Sequence, residues 1–367
     1  MAGASAAGDR LDRRALNRAT LARQLLLGRV ELPVTKAVAG LGGLNAQDVE
    51  PPYLTLWARL AGFERDALTR ALEDRAVVRG VLLRGTQHLV TADDYLAWRP
   101  LLQPVMDRFG RGALGRAGVD REALAAAARR HLDGRRLTRR ELARLLAQDW
   151  PGHPPGELAW SVQYLLPLVH PPPSGVWGRG GPVPLVLAEA WLGRPLAAGA
   201  SPEGLVLRHL AAFGPASVAD IQAWSGLTRL REVVDRLRPR LRRFRDERGQ
   251  RLYDLPEAPR PDPGVPSPVR FLPPFDNLLL AHADRVRVMT DEVRRRVCVG
   301  AVVEPTVLVD GQVAAVWKLD RDGDRAVVEV EPLGRLAGPE REAVASEGLR
   351  LLRFAATDTA DHEVRVG

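Results

Sequence analysis

EGLVLRHLAAFGPASVADIQAWSGLTRLREVVDRLRPRLRRFRDERGQRLYD, residues 203–254, sets helical runs ahead of an alternating, arginine-rich pair of strands. Leu205, Val206, Leu210 and Phe213 fall near helical spacing. GPAS then breaks the run and offers Ser217 as N-cap for VADIQAWSG. The turn SGLT leads into RLREVVDRLRPRL, a helix ending near Pro239, because proline cannot continue a helix. RRFRDERGQRLYDL follows as two alternating strands around an Arg-Gly turn. Three short helices, a tight glycine turn and a hairpin predict a winged helix-turn-helix.

The same order recurs upstream without sequence similarity. Helices are predicted over 13–28, 34–44, 53–62 and 64–75, then strands over 76–91. A second set covers 121–134, a Thr138-capped 139–148, and 157–169, followed by the Gly- and Pro-rich HPPPSGVWGRGGPVPLVL with Trp177 at its tip. After the Pro-rich stretch 256–269 the pattern turns to strands: TVLVDGQVAAVWKL carries an Asp310-Gly311 hairpin turn, RAVVEVEPL extends the sheet, and a helix over 338–356 closes it. The expected fold class is α+β, with three tandem winged helix-turn-helix motifs and a C-terminal β-rich α/β element. The expected divisions are 10–100, 101–198, 199–256 and 257–367.

At 367 residues, several domains are expected. Hydrophobic content of 46% with 27% charged residues fits a soluble globular chain, and no apolar run is long enough to span a membrane. MAGASAAGDRLDRR has no apolar core of a signal peptide. Cys298 is the sole cysteine, which excludes an internal disulfide and points to a reducing cytoplasm. The net charge of +8 and a pI of about 10.5 suit a polyanion partner. Lys36 and Lys318 are the only lysines, a bias that a GC-rich coding sequence also produces. No histidine pattern suggests a metal, so neither metal nor cofactor is expected.

LNAQDVEPPYLTLWARL, residues 44–60, puts Asn45, Gln47 and Asp48 in one tight loop. One reading is an Asx-type turn and a cap for the next helix. The other aims both carboxamides at one point, since residues two apart in extended chain project to the same side. Amides cannot act as Brønsted bases near neutrality. They can orient a water and stabilise a developing cation. A purine alkylated at N7, already a cation, needs no more assistance than that. His88 is either a hydrogen-bonded strand residue or a site residue. Asp276 and Arg285 are either a buried ion pair or site residues. Trp177 either stacks on a base or packs on the fold. Arg242, Arg243, Arg245, Arg248 and Arg251 either meet phosphate or form a solvated face.

LNAQDVEPPYLTLWARL, LLRGTQHLVTADDYLAWRPLLQP, VWGRGGPVPLVLAEAWLG, AAFGPASVADIQAWSGL and FLPPFDNLLLAHADR together resemble the AlkZ-like winged-helix DNA glycosylases. That family includes the azinomycin-resistance enzyme, which unhooks alkylated and crosslinked purines. The resemblance runs from about residue 10 to about residue 366. It implies three winged helices in a C-shape around a basic channel for duplex DNA, and a catalytic Gln-Φ-Gln motif, Φ being apolar. Gln47 matches the second Gln and Ala46 the Φ; Asn45 stands where the first Gln is expected, one methylene shorter. A displacement of about 1 Å in a reacting group can cost on the order of 100-fold. The implied activity is monofunctional hydrolysis of N7-alkylpurine glycosidic bonds, without cofactor, by a monomer on the nucleoid. Asp48, His88, Asp276 and Arg285 are expected beside the channel. Arg84, Trp177, Arg179, Arg242, Arg243 and Arg245 are expected to touch DNA. The rival reading is a non-catalytic winged-helix regulator or damage sensor; a third is a protein-interaction scaffold.

Overall fold

The computed structural model describes residues 9–199 and 201–367. Most of the stretch read above for a signal peptide lies outside these residues, as does Ala200 in the third expected division. Helix and sheet are mixed along the chain, as the α+β class requires. Among the described residues no helix is long and apolar enough to cross a membrane.

Residues 203–254 adopt the predicted order: helices Pro202–Phe213, Val218–Ser225 and Arg231–Leu237, then strands Arg242–Arg245 and Arg251–Asp254. Ser217 caps the middle helix reciprocally. Its Oγ accepts from the Asp220 amide at 3.2 Å, and Asp220 accepts from the Ser217 amide at 2.8 Å. The helix ends at Gly226, whose φ of +79° is one that glycine adopts without a Cβ clash. Val206, Leu210, Ile221, Val234 and Tyr253 close one small core between these elements. The hairpin also gains a parallel strand, Asp9–Arg10, from the far end of the chain.

Upstream, the predicted helices over 13–28 and 34–44 stop early, at Arg23 and Gly40. Leu25, Gly42 and Gly43 all have positive φ, so the chain leaves the helix there. Leu44–Asn45 is instead a short strand. It opens a six-stranded sheet whose order continues through Gln87–Thr91, Val77–Val81, Leu168–Val169, Pro184–Leu187 and Leu137–Thr138. The first two expected divisions therefore share one sheet, joined where Gly80 faces Val169. A Cβ on Gly80 would lie 2.8 Å from both the Leu168 carbonyl oxygen and the Tyr95 ring, so glycine permits that join. Helices Ala92–Leu101 and Gln103–Ala117 had no counterpart in the periodicity reading. Pro100, which reads as a break, lies inside the first of them.

The C-terminal sheet runs in the order Arg270–Leu272, Thr306–Val309, Gln312–Asp322, Arg325–Pro332, Asp361–Val366. Asp310 and Gly311, with φ of +43° and +77°, make the predicted two-residue turn. Helix Gly338–Ala355 crosses over to the parallel last strand, burying Leu351 and Leu352 against Phe271 and Val328. The first helix, Arg13–Arg23, ties this sheet to the 203–254 unit. Asn17 donates to the carbonyls of Arg287 and Gly311, both at 2.8 Å, and Arg23 pairs with buried Asp254 at 2.6 Å.

Candidate active site

The loop that opens at Gly43 is held on three sides. Strand residue Asn45 lies opposite His88, and the Ala46 amide donates to the Gln87 carbonyl at 3.0 Å. Leu44 and Ala46 are buried among Val38, Tyr53 and Leu89, which fixes the strand's inner face. Helix Glu50–Arg59 then starts with Pro51 and Pro52 in its first turn, where missing amide hydrogens cost nothing. It has no side-chain cap, so Asp48, which is exposed, does not cap it. Finally, the Asn277 side chain donates to the Gly43 carbonyl, pinning the loop's entry to the C-terminal element.

The two carboxamides are not equivalent. Asn45 is 6% exposed, and its Oδ1 accepts from the Gln47 amide at 3.2 Å, an Asx turn. Gln47 is exposed. The loop thus uses one amide internally and presents the other to solvent.

Arg79, which the motif reading missed, organises this loop. Its Nε donates to the Ala46 carbonyl at 2.8 Å, Nη2 to the Gln47 carbonyl at 2.9 Å, and Nη1 to the Ser174 hydroxyl at 2.9 Å. Burial lowers its pKa to about 10, against the opposing pull of Asp48. It remains charged at neutral pH, and charge-assisted donors bond more strongly than neutral ones. The available signal was a single arginine inside the apolar strand AVVRGV.

His88 is fully buried. Its Nδ1 donates to the Thr86 carbonyl at 3.0 Å, and Nε2 faces Arg84 Nη2 at 3.5 Å. Burial, then the Arg84 charge, lower its pKa to about 3. Burial thus holds His88 in its neutral form near neutral pH. Arg84 is half-buried, with left-handed φ of +54°, and donates to the Trp224 carbonyl. Burial, then the nearby Arg285, lower its pKa to about 10. Arg285 donates to Cys298 Sγ at 3.0 Å. Asn45, His88 and Arg84 thus form one connected run, with the Arg285 charge close enough to act on Arg84.

Asp276 does form a buried ion pair, one of the two readings of the sequence, but with Arg59 and not with Arg285. Asp276 pairs with Arg59 through both oxygens, at 2.8 and 3.0 Å, with both side chains fully buried. Its Oδ1 also accepts from the Leu278 amide at 3.0 Å. A bidentate arginine fork fits that carboxylate, whereas Arg285 is committed to Cys298. Trp177 packs on the fold rather than standing free at a tip. Its ring lies 5.5 Å from Tyr53 and 5.9 Å from Phe354, with Arg65 stacked at 4.2 Å. Arg179 pairs with Glu73 at 3.1 Å on the surface. In the hairpin, Arg242 pairs with Asp9 at 2.6 Å, Arg245 donates to the Gly249 carbonyl at 2.8 Å, and Arg243 is half-buried. Arg248 pairs with Asp284 at 3.1 Å.

The chain is 24% identical over 331 residues to the interstrand DNA cross-link repair glycosylase of Streptomyces sahachiroi, covering 81% of this chain and 85% of that one. The solved structure of Streptomyces sahachiroi DNA glycosylase AlkZ superimposes with a TM-score of 0.80 at 22% identity, covering 98% of this chain and all of that one. The profile of the family described as DNA glycosylase AlkZ-like matches residues 38–354, a span that contains the Asn45–Gln47 loop, Arg79 and the buried Arg59–Asp276 pair. This chain belongs to the AlkZ-like DNA glycosylase family.

Proposed function

We propose that this protein is a monofunctional DNA glycosylase that hydrolyses the glycosidic bond of N7-alkylated purines in duplex DNA. Bulky natural-product adducts and interstrand crosslinks are within its substrate class. The carrying observation is the exposed Gln47 side chain on a backbone clamped by Arg79 at the Ala46 and Gln47 carbonyls. In this reading Gln47 holds a water toward C1′. The water oxygen bonds to C1′ as the C1′–N9 pair departs with the purine, whose positive charge is thereby neutralised. The water's proton passes to solvent beside Asp48, and the product is an abasic site. Asn45 keeps the loop in shape through its Oδ1. No lysine stands in the loop, so a Schiff-base route has no nucleophile there.

The wider reading supports this chemistry. Three helix-helix-helix-strand units, read as tandem winged helices in a C-shaped array, and a net charge of +8 suit a protein that grips a length of duplex. We take it to act as a monomer on the nucleoid, in base excision repair or self-resistance.

The test is single-turnover base release from a duplex carrying one N7-alkylguanine. The native protein releases the base, and Gln47→Ala loses release by about 100-fold or more while keeping salt-dependent binding. Equal release by both proteins would overturn the role of Gln47. Binding without release on methylated, bulky and crosslinked guanine would instead favour a protein that only holds DNA, with the Asn45 turn as a structural feature.

A further inference from the structure

The C-terminal end of helix Glu50–Arg59 meets helix Gly338–Ala355 at an open depression of about 690 Å³, lined by Arg29, Arg270, Arg350 and Arg353 with Trp57 and Phe354. One carboxylate serves this group. Glu347 lies 2.6 Å from Arg29, 3.3 Å from Arg350 and 3.9 Å from Arg270. Arg353 is exposed and has no carboxylate partner among the described residues. Four guanidiniums against one carboxylate leave a surplus of three positive charges (4 − 1).

Arg270 makes the surplus unusual, because it is 5% exposed and its Nε is buried without any partner. Unsatisfied buried donors are uncommon in folded proteins, and those that occur call for an explanation. Burial, then repulsion from Arg29, lower its pKa to about 10, so the cluster stays charged. The Trp57 ring is already in use: Phe354 stacks on it at 5.9 Å and the Arg29 guanidinium lies over it at 4.7 Å. A nucleobase would find no free indole face, whereas a multivalent oxyanion would find forked donors on several sides.

We propose that this depression is a phosphate-binding site, separate from the Gln47 loop and at the opposite end of the ten-residue helix that follows it. That helix is about 15 Å long at 1.5 Å per residue. The phosphate has two sources: the DNA backbone flanking the lesion, or a free phosphorylated compound. The DNA source rests on the function proposed above; phosphate recognition itself does not.

The test uses the full chain and the double variant Arg350→Gln/Arg353→Gln, whose side chains are exposed and whose urea midpoint is compared with the native one. Arg294→Gln/Arg295→Gln, on another exposed helix, is the control. Inorganic pyrophosphate is titrated calorimetrically at low salt, and duplex affinity is measured against salt concentration. Native and control proteins bind pyrophosphate, and the double variant binds about 10-fold or more weaker. If DNA is the source, the double variant also loses about 1 to 2 from the slope of log affinity against log salt. An unchanged slope with weakened pyrophosphate binding identifies a free phosphorylated compound. A lowered slope alone identifies a site for diester phosphate only. Pyrophosphate binding that is absent or equal in both proteins, with an unchanged slope, overturns the proposal. Loss of base release in Gln47→Ala is read separately, so the two ideas fail independently.

Discussion

Arg79 grips Gln47 by its backbone and leaves its side chain free: Nη2 meets the Gln47 carbonyl at 2.9 Å while the carboxamide is exposed. Nε holds the preceding carbonyl at 2.8 Å, so two successive peptide planes are fixed by one guanidinium. On the chemistry proposed for Gln47, such a clamp is expected to act on the rate rather than on binding. Arg79→Met is expected to lower the single-turnover rate by about 100-fold, the scale of a misplacement near 1 Å, with duplex affinity nearly unchanged. Arg79→Lys restores little, because one ammonium cannot span two carbonyls and Ser174. An affinity loss equal to the rate loss would mean that Arg79 serves DNA binding instead.

Asn45 and Gln47 are expected to separate under substitution. The Asn45 oxygen accepts the Gln47 amide at 3.2 Å, so what it contributes is an acceptor at the right distance. Asn45→Asp keeps that acceptor and is expected to retain release within about 10-fold, whereas Asn45→Ala drops it further and lowers stability by about 1 kcal/mol. Both changes fall short of Gln47→Ala. Side-by-side single-turnover rates and urea midpoints check the order, and equal losses at 45 and 47 would restore the paired-amide reading.

The Arg59–Asp276 pair is expected to carry stability. Both side chains are fully buried, so removing one leaves an uncompensated charge without water. Asp276→Ala is expected to destabilise by about 3 to 5 kcal/mol, the range for breaking a buried pair from one side. Arg285→Gln, which leaves that pair intact, is expected to cost less than about 1 kcal/mol. Chemical denaturation of both variants decides, and the reverse ranking would mean that Asp276 depends on Arg285 after all.

The 203–254 unit was legible because each signal there is local: Ser217 caps, Gly226 stops a helix, and the strands alternate. The Asp310-Gly311 turn was legible for the same reason. What escaped was non-local. Strand Asp9–Arg10 pairs with residues more than two hundred positions away, and no periodicity in two residues announces that. Arg59 reads as an ordinary last-turn arginine until the fold brings Asp276 to it. The loop itself was found through its residue types, but the clamp on it was not. Arg79 is a charge within an apolar strand, and only the tertiary structure reveals which carbonyls it meets.

Buried neutral histidines make the fold acid-sensitive above the carboxylate range. Burial lowers the pKa of His88 to about 3 and of His170 and His209 to about 4, and it pushes His282 well below its ordinary value, with Arg287 adding to the shift. In the unfolded chain each titrates near 6.5, as free histidine does at about that value. The unfolded state therefore binds more protons than the native state as pH falls below about 6.5, and stability falls with it. The contribution is fully present above that pH and is lost progressively toward the folded values. At about pH 5.5 the loss is on the order of 1 kcal/mol for each of His88, His170 and His209, and His282 adds to it in the same direction. Unfolded carboxylates titrate near 4, so they contribute little between about pH 5.5 and 7.5. Urea midpoints across that window are expected to drop steeply with acid, and His170→Gln is expected to flatten the drop by up to one proton. A midpoint unchanged from pH 7.5 to 5.5 would mean that these histidines reach water or protonate in the native state.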